Sequence, residues 1–211
     1  MMDFYFGKVS GNSTRAAFGL LEAGCEFTPH VLDYRAGENR APGYLAINPM
    51  GKIPSLVDGA FTLWESNAIN WYAAEQRPSA HLLPDSAQGR ADVQRWLMFQ
   101  AAHVTPACIP LMRATHPGLQ EWFQVRADRA AAEASRKELV RYLPVLDAAL
   151  EGREWLAGVF SLADIAYAPH LYLVREGGLD FGPWPSLRGW LERLTARPAW
   201  QEARALVLAP F

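Results

Sequence analysis

Apolar positions in the first eighty residues fall into short runs separated by polar, glycine and proline breaks. Residues 3–6 read as a strand, 13–23 as a helix ended by Gly24 at the C′ position, and 27–32 as a second strand. Residues 42–47 predict a short irregular helix that Asn48-Pro49 stops. Pro54 then opens a strand, Asp58-Gly59 makes a tight turn, and residues 60–64 return as its partner. A helix over 66–76 completes the order βαβ followed by ββα, which predicts a small α/β layer. Pro78, Pro84 and the polar residues of 77–86 read as a linker.

From Gly89 onward the spacing becomes helical and stays so. Val93, Trp96, Leu97 and Gln100 share one side of a helix over 91–101. Residues 120–150 read as one long alanine-rich helix, with a kink or break expected at Pro144. Ser161-Leu162-Ala163-Asp164 has the form of a capping box with Asp in place of Glu or Gln, and Pro169, in the middle of the helix that this box starts, predicts a bend there. Helices over 186–196 and 198–206 finish an all-α half. The expected division is therefore an α/β domain over 1–78 and an all-helical domain over 88–211.

The chain of 211 residues is long enough for two small domains with real cores. A net charge of −2 without a basic stripe argues against a nucleic-acid partner. No apolar run nears the roughly 20 residues that cross a bilayer, so no membrane partner is expected. The start, Met1-Met2-Asp3-Phe4, lacks a basic segment leading into a long apolar one, and Cys25 and Cys108 are too few for a disulfide framework. Both point to a reducing cytoplasm. His30, His81, His103, His116 and His170 show no ligand spacing, so no metal site is expected.

The most informative stretch is Gly51-Lys52-Ile53-Pro54-Ser55-Leu56-Val57-Asp58-Gly59, followed by Trp64-Glu65-Ser66-Asn67-Ala68-Ile69. A proline at the mouth of a strand fits best with a cis Ile53-Pro54 bond, which turns the Ile53 N–H and C=O toward an extended peptide ligand. Glu65-Ser66 ends the returning strand and begins a helix, bringing backbone N–H groups and a hydroxyl to one point. An open strand edge beside a helix N-terminus suits a small anionic peptide.

These residues resemble the glutathione-binding half of the glutathione S-transferase family, with its cis-proline strand and Glu/Gln-Ser pair. The likeness takes in Ser10-Gly11-Asn12-Ser13-Thr14-Arg15, Gly37-Glu38-Asn39-Arg40, Ile47-Asn48-Pro49, Ser161–Ala166 by position, and Ala196-Arg197-Pro198-Ala199. It implies a thioredoxin-like N-terminal domain joined to an all-α C-terminal domain, a homodimer, and a role in detoxification. Glutathione is the implied co-substrate, and its thiolate attacks a small electrophile. The C-terminal half is expected to supply an apolar pocket near residues 96–112. A glutathione-dependent disulfide or peroxide reductase and a silent binding protein on the same fold remain alternatives.

In thioredoxin-like redox proteins the first strand–helix turn carries Cys-x-x-Cys, where free N–H groups stabilise a thiolate. Here the slot reads Ser10-Gly11-Asn12-Ser13, so the sulfur must arrive with the ligand. By resemblance Ser10 is the expected thiolate donor with Asn12 beside it, set against the plain reading of Ser10 as an N-cap. Ser66 suits the γ-glutamyl carboxylate, Glu65 its ammonium and Lys52 the glycyl carboxylate. The backbone of Ile53, presented by Pro54, suits the cysteinyl part, while Ser13 and Asn39 hold matching family positions.

Overall fold

The computed structural model describes residues 1–124 and 126–209. Strand β1 (Met2–Phe6) leads into helix α1 (Gly11–Glu22), β2 (Phe27–Val31), a 3-10 turn at Glu38–Arg40 and the single turn of α2 (Pro42–Leu45). The hairpin β3 (Ser55–Asp58) and β4 (Phe61–Trp64) then runs into α3 (Ser66–Gln76). The sheet order is β2-β1-β3-β4, parallel between β1 and β2 and antiparallel elsewhere. Tyr5 stands opposite Ser55 and Phe4 opposite Leu56, which brings the start of β3 level with the end of β1. Pro29 sits in β2, an edge strand, where a missing N–H costs no ladder bond.

Helix α1 is almost wholly buried, and Phe4, Phe6, Phe18 and Leu20 have no exposed surface. Asn70 of α3 approaches α1 so closely that a Cβ on Gly19 would lie 2.2 Å from its side chain. Glycine is therefore a steric requirement at that crossing. Gly24 takes φ +68 just past the helix, as expected of a C′ glycine.

The chain clusters into two compact units, and the first is discontinuous: Met1–Leu82 together with the segment from Pro198 on. The second unit, Leu83–Arg197, contains α4 (Ala87–Phe99), a π-helical stretch at Gln100–Val104, α5 (Thr105–Thr115), α6 (Pro117–Phe123), α7 (Arg129–Leu150), α8 (Leu162–Ile165), α9 (Ala168–Glu176) and α10 (Pro185–Thr195). Its core includes Leu139, Leu143, Leu146, Ile165, Leu171, Leu187 and Trp190, all without exposed surface. The final helix α11 (Pro198–Val207) groups with the first unit, on α1, although the periodicity reads as a continuation of the helical half. Trp200 stacks edge-on against Phe18 at 5.6 Å. Val9 N–H donates to Val207 O (2.8 Å), and Lys8 Nζ to Leu206 O (2.5 Å).

The helical half differs in detail from expectation. Residues 120–150 form two helices, because Gln124 takes φ +51 at the end of α6 and the Asp128 carboxylate caps α7 by accepting from Ala131 N–H. Pro144 lies inside α7, and the carbonyl it cannot serve is that of Val140, a half-exposed residue. The helix begun at Ser161 is interrupted at Ala166–Tyr167, and Pro169 sits in the first turn of α9 that follows, where its lacking N–H is harmless. The capping box at Ser161 is present in full. Among the described residues no helix is long and apolar enough to cross a membrane.

Candidate active site

Ser10 is the N-cap of α1, its oxygen accepting from Ser13 N–H at 3.2 Å, and its carbonyl accepts from the Thr14 hydroxyl. The N-cap reading of this serine is thus realised in the fold. Ser13 itself has no exposed surface, and its hydroxyl has no hydrogen-bond partner among the described residues. Asn12 is half-buried, and its Oδ1 accepts from Arg15 Nη1 at 2.9 Å. The same nitrogen donates to Ser66 Oγ at 2.9 Å, although Arg15 and Ser66 lie 51 positions apart. Arg15 is only 3% exposed.

The segment between α2 and β3 is tied down by side chains the chain supplies locally. Asn48 Nδ2 donates to Lys52 O (2.7 Å) and to Ser55 Oγ (3.3 Å), while Asn48 Oδ1 accepts from Met50 N–H (3.0 Å). Tyr44 gives its one phenolic proton to Lys52 O (2.6 Å), so Ser55 must be the donor in their 2.9 Å contact. Burial pushes the Tyr44 phenol above its ordinary range, which keeps it a neutral donor. Asn39 Nδ2 donates to Gly51 O (2.7 Å) from a buried position. Two donors on one carbonyl and a third on its neighbour fix the strand entry. The Ile53–Pro54 peptide is cis.

Glu65 joins β4 to α3 with φ +74 and ψ 114, a conformation that costs a non-glycine residue about 1–3 kcal/mol. Ser66 follows as the first residue of the helix, buried, with its oxygen engaged by Arg15. A concave cavity of about 100 Å³ lies among these elements. Asn12 lines it from α1; Asn48, Met50, Lys52, Ile53 and Pro54 from the braced segment; and Trp64, Glu65 and Ser66 from the strand end and helix start. Its polar lining carries one cation, one anion, two amides and a hydroxyl.

Six of the residues singled out from sequence meet in this lining: Asn12, Lys52, Ile53, Pro54, Glu65 and Ser66. Ser10, Ser13 and Asn39 do not line it. Ser13 and Asn39 are buried behind it, and Ser10 is half-buried at the head of α1. Sequence reasoning missed Asn48, Met50 and Trp64 in the lining, and Arg15 behind it. Asn48 and Arg15 stand inside the motifs quoted above, and the signal for both was a polar residue at a position the fold buries. Met50 and Trp64, exposed apolar side chains, carried no such signal. Among the described residues no group of His, Cys, Asp or Glu has the arrangement to hold a metal ion.

A sequence model of the glutathione S-transferase N-terminal domain matches residues 9–76, and one of the glutathione S-transferase C-terminal domain matches residues 101–198. Glutathione S-transferase F10 of Arabidopsis thaliana is 35% identical over 212 residues, covering 97% of each chain. Glutathione S-transferase GstB of Escherichia coli (strain K12) is 36% identical over 177 residues, 82% of each chain. The theta class glutathione S-transferase of Xanthomonas axonopodis pv. citri, solved with glutathione bound, is similar with a TM-score of 0.85 at 31% identity, covering 96% of each chain. The chain belongs to the glutathione S-transferase family. Its fold is that family's thioredoxin-like α/β unit with an all-helical unit.

Proposed function

We propose that the chain is a glutathione transferase that binds glutathione in this cavity and holds its sulfur as the thiolate. The observation that carries the reading is the convergence of Lys52, Glu65, Ser66, Asn12 and the Ile53 peptide on one cavity of the first unit. Each suits a different part of the tripeptide. Glu65 takes the γ-glutamyl ammonium, Ser66 and the α3 N-terminus its carboxylate, Lys52 the glycyl carboxylate, and Ile53 the cysteinyl backbone. Ser10 stands outside the lining at the head of α1; its oxygen already accepts from the Ser13 amide, so its one proton is left to give to a sulfur that reaches this helix end, with Asn12 beside it. Ser13 and Asn39 support the site from behind, Asn39 by holding Gly51.

The thiol loses its proton to solvent, and the sulfur lone pair forms a bond to an electrophilic carbon. In displacement the leaving group departs with its bonding pair; in addition the neighbouring atom takes a proton. Hydrogen bonds to the thiolate lower its pKa, and proximity supplies the rest of the acceleration. The homodimer, the detoxifying role and the cytoplasmic setting belong to the same proposal, and the resemblance supports them.

Calorimetric titration tests it. Glutathione should bind the wild-type protein, and Glu65→Ala and Ser66→Ala should each weaken binding by about 1–3 kcal/mol, the usual cost of a lost charge-assisted partner. Unchanged affinity in both folded variants would remove the assignment.

A further inference from the structure

We propose that Arg15 is a positioning residue: a buried cation that makes both Asn12 and Ser66 present hydrogen-bond donors to the cavity. The inference rests on the reading of that cavity as a glutathione site. It starts from the chemistry of the guanidinium, which has only donors. Arg15 Nη1 reaches Asn12 Oδ1 and Ser66 Oγ at 2.9 Å each.

The consequence for Asn12 is an assigned orientation. Its amide must turn the oxygen toward Arg15, because an NH2 group there would meet donor against donor. The Nδ2 hydrogens are then left for the cavity that Asn12 lines. For Ser66 the result is similar. With its oxygen accepting from Arg15, its single proton cannot point at the guanidinium and is available to the cavity it also lines.

One buried charge therefore sets the polarity of two residues that sequence places 54 positions apart, since Asn12 and Ser66 lie on different elements. The two anionic parts of glutathione, thiolate and γ-glutamyl carboxylate, meet donors of the same sense. Behind them stands a full positive charge at 3% exposure, where water screens it little. Arg15 is itself held in place: Asn70 Nδ2 donates to its carbonyl at 3.0 Å, across the contact that requires Gly19.

The experiment compares wild type, Arg15→Gln and Arg15→Lys. Fold is followed by circular dichroism, glutathione affinity by calorimetry, and the bound thiolate by its ultraviolet absorbance against pH. Arg15→Gln should move the thiolate titration upward by about one pH unit, the lower end of what a nearby charge supplies. It should weaken glutathione binding about tenfold. Arg15→Lys should recover most of the titration shift, since that part depends on charge, and less of the affinity, since the shorter side chain does not carry its ammonium to where Nη1 meets both oxygens. A folded Arg15→Gln protein with both readouts unmoved overturns the proposal.

If Arg15→Gln does not fold, Asn12→Asp answers the same question. It keeps an acceptor for Arg15 but removes the amide hydrogens from the cavity, and should raise the thiolate titration by about one unit or more. An unmoved titration in Asn12→Asp overturns the proposal. Failure of the wild-type protein to bind glutathione overturns the functional reading and this proposal together. A normal wild type with silent variants overturns this proposal alone.

Discussion

Glu65 holds two properties that pull against each other. Its side chain is the anion of the cavity, and its backbone sits at φ +74, where a residue with a Cβ is strained. Glycine at this position would relieve the strain, whereas alanine would keep it. Glu65→Gly should therefore be more stable than Glu65→Ala by about 1 kcal/mol in urea unfolding, while both lose glutathione affinity. Equal stability of the two would mean that the backbone there is unstrained. At this scale the cavity lining was legible wherever a side chain carries its own charge, as with Lys52 and Glu65. Arg15 was not, because its part depends on Ser66, 51 positions away, and only folding makes them neighbours. Asn39 shows the converse. Its family position implies a ligand role, and in the fold its amide binds Gly51 O from behind the cavity.

Among the elements, the turn of α8 is the most fully specified by its own residues. Asp164 accepts from Ser161 N–H and Leu156 N–H at 3.0 Å and from Trp190 Nε1 at 2.8 Å, with no exposed surface. Desolvation outweighs these bonds and pushes its carboxyl from the usual 3.8 up to about 6. The folded protein thus holds this proton more tightly than the unfolded chain does. The stability contributed by protonation is complete below 3.8 and is lost as pH rises through about 6. Against Asp164→Asn, which cannot titrate, the wild type should lose up to about 3 kcal/mol of relative stability over that interval. Urea unfolding at a series of pH values measures it, and a pH-independent difference would contradict it. The box was readable because cap and acceptor lie three residues apart. The break between α6 and α7 was missed for an opposite reason: no Gly or Pro stands between 120 and 143, so nothing in the helical pattern marked the cap at Asp128.

For the whole molecule, the strand and helix order of the α/β unit followed from local patterns, since every turn but the Glu65 junction carries its own Gly, Pro or Asn. The allegiance of α11 did not. Its helical spacing says that one face is buried and cannot say against what; in the fold that face meets α1 through Trp200 and Phe18. Trp200 has no exposed surface, so Trp200→Ala should cost about 3–5 kcal/mol. Urea unfolding would report it, and a loss below 1 kcal/mol would show the site to be loosely packed.

The backbone bond from Val9 and the Lys8 ammonium also fix an order of events during synthesis. The turn that leads into Ser10 takes its partners from Leu206 and Val207, the first of them 198 positions downstream. At the usual rates of translation, roughly 5–20 residues per second, that is a wait of roughly 10–40 s. A nascent chain with all of β1 to α3 already exposed still lacks the anchors of Lys8 and Val9. On the ribosome, the turn just ahead of Asn12, the first cavity residue to be made, is among the last to be secured.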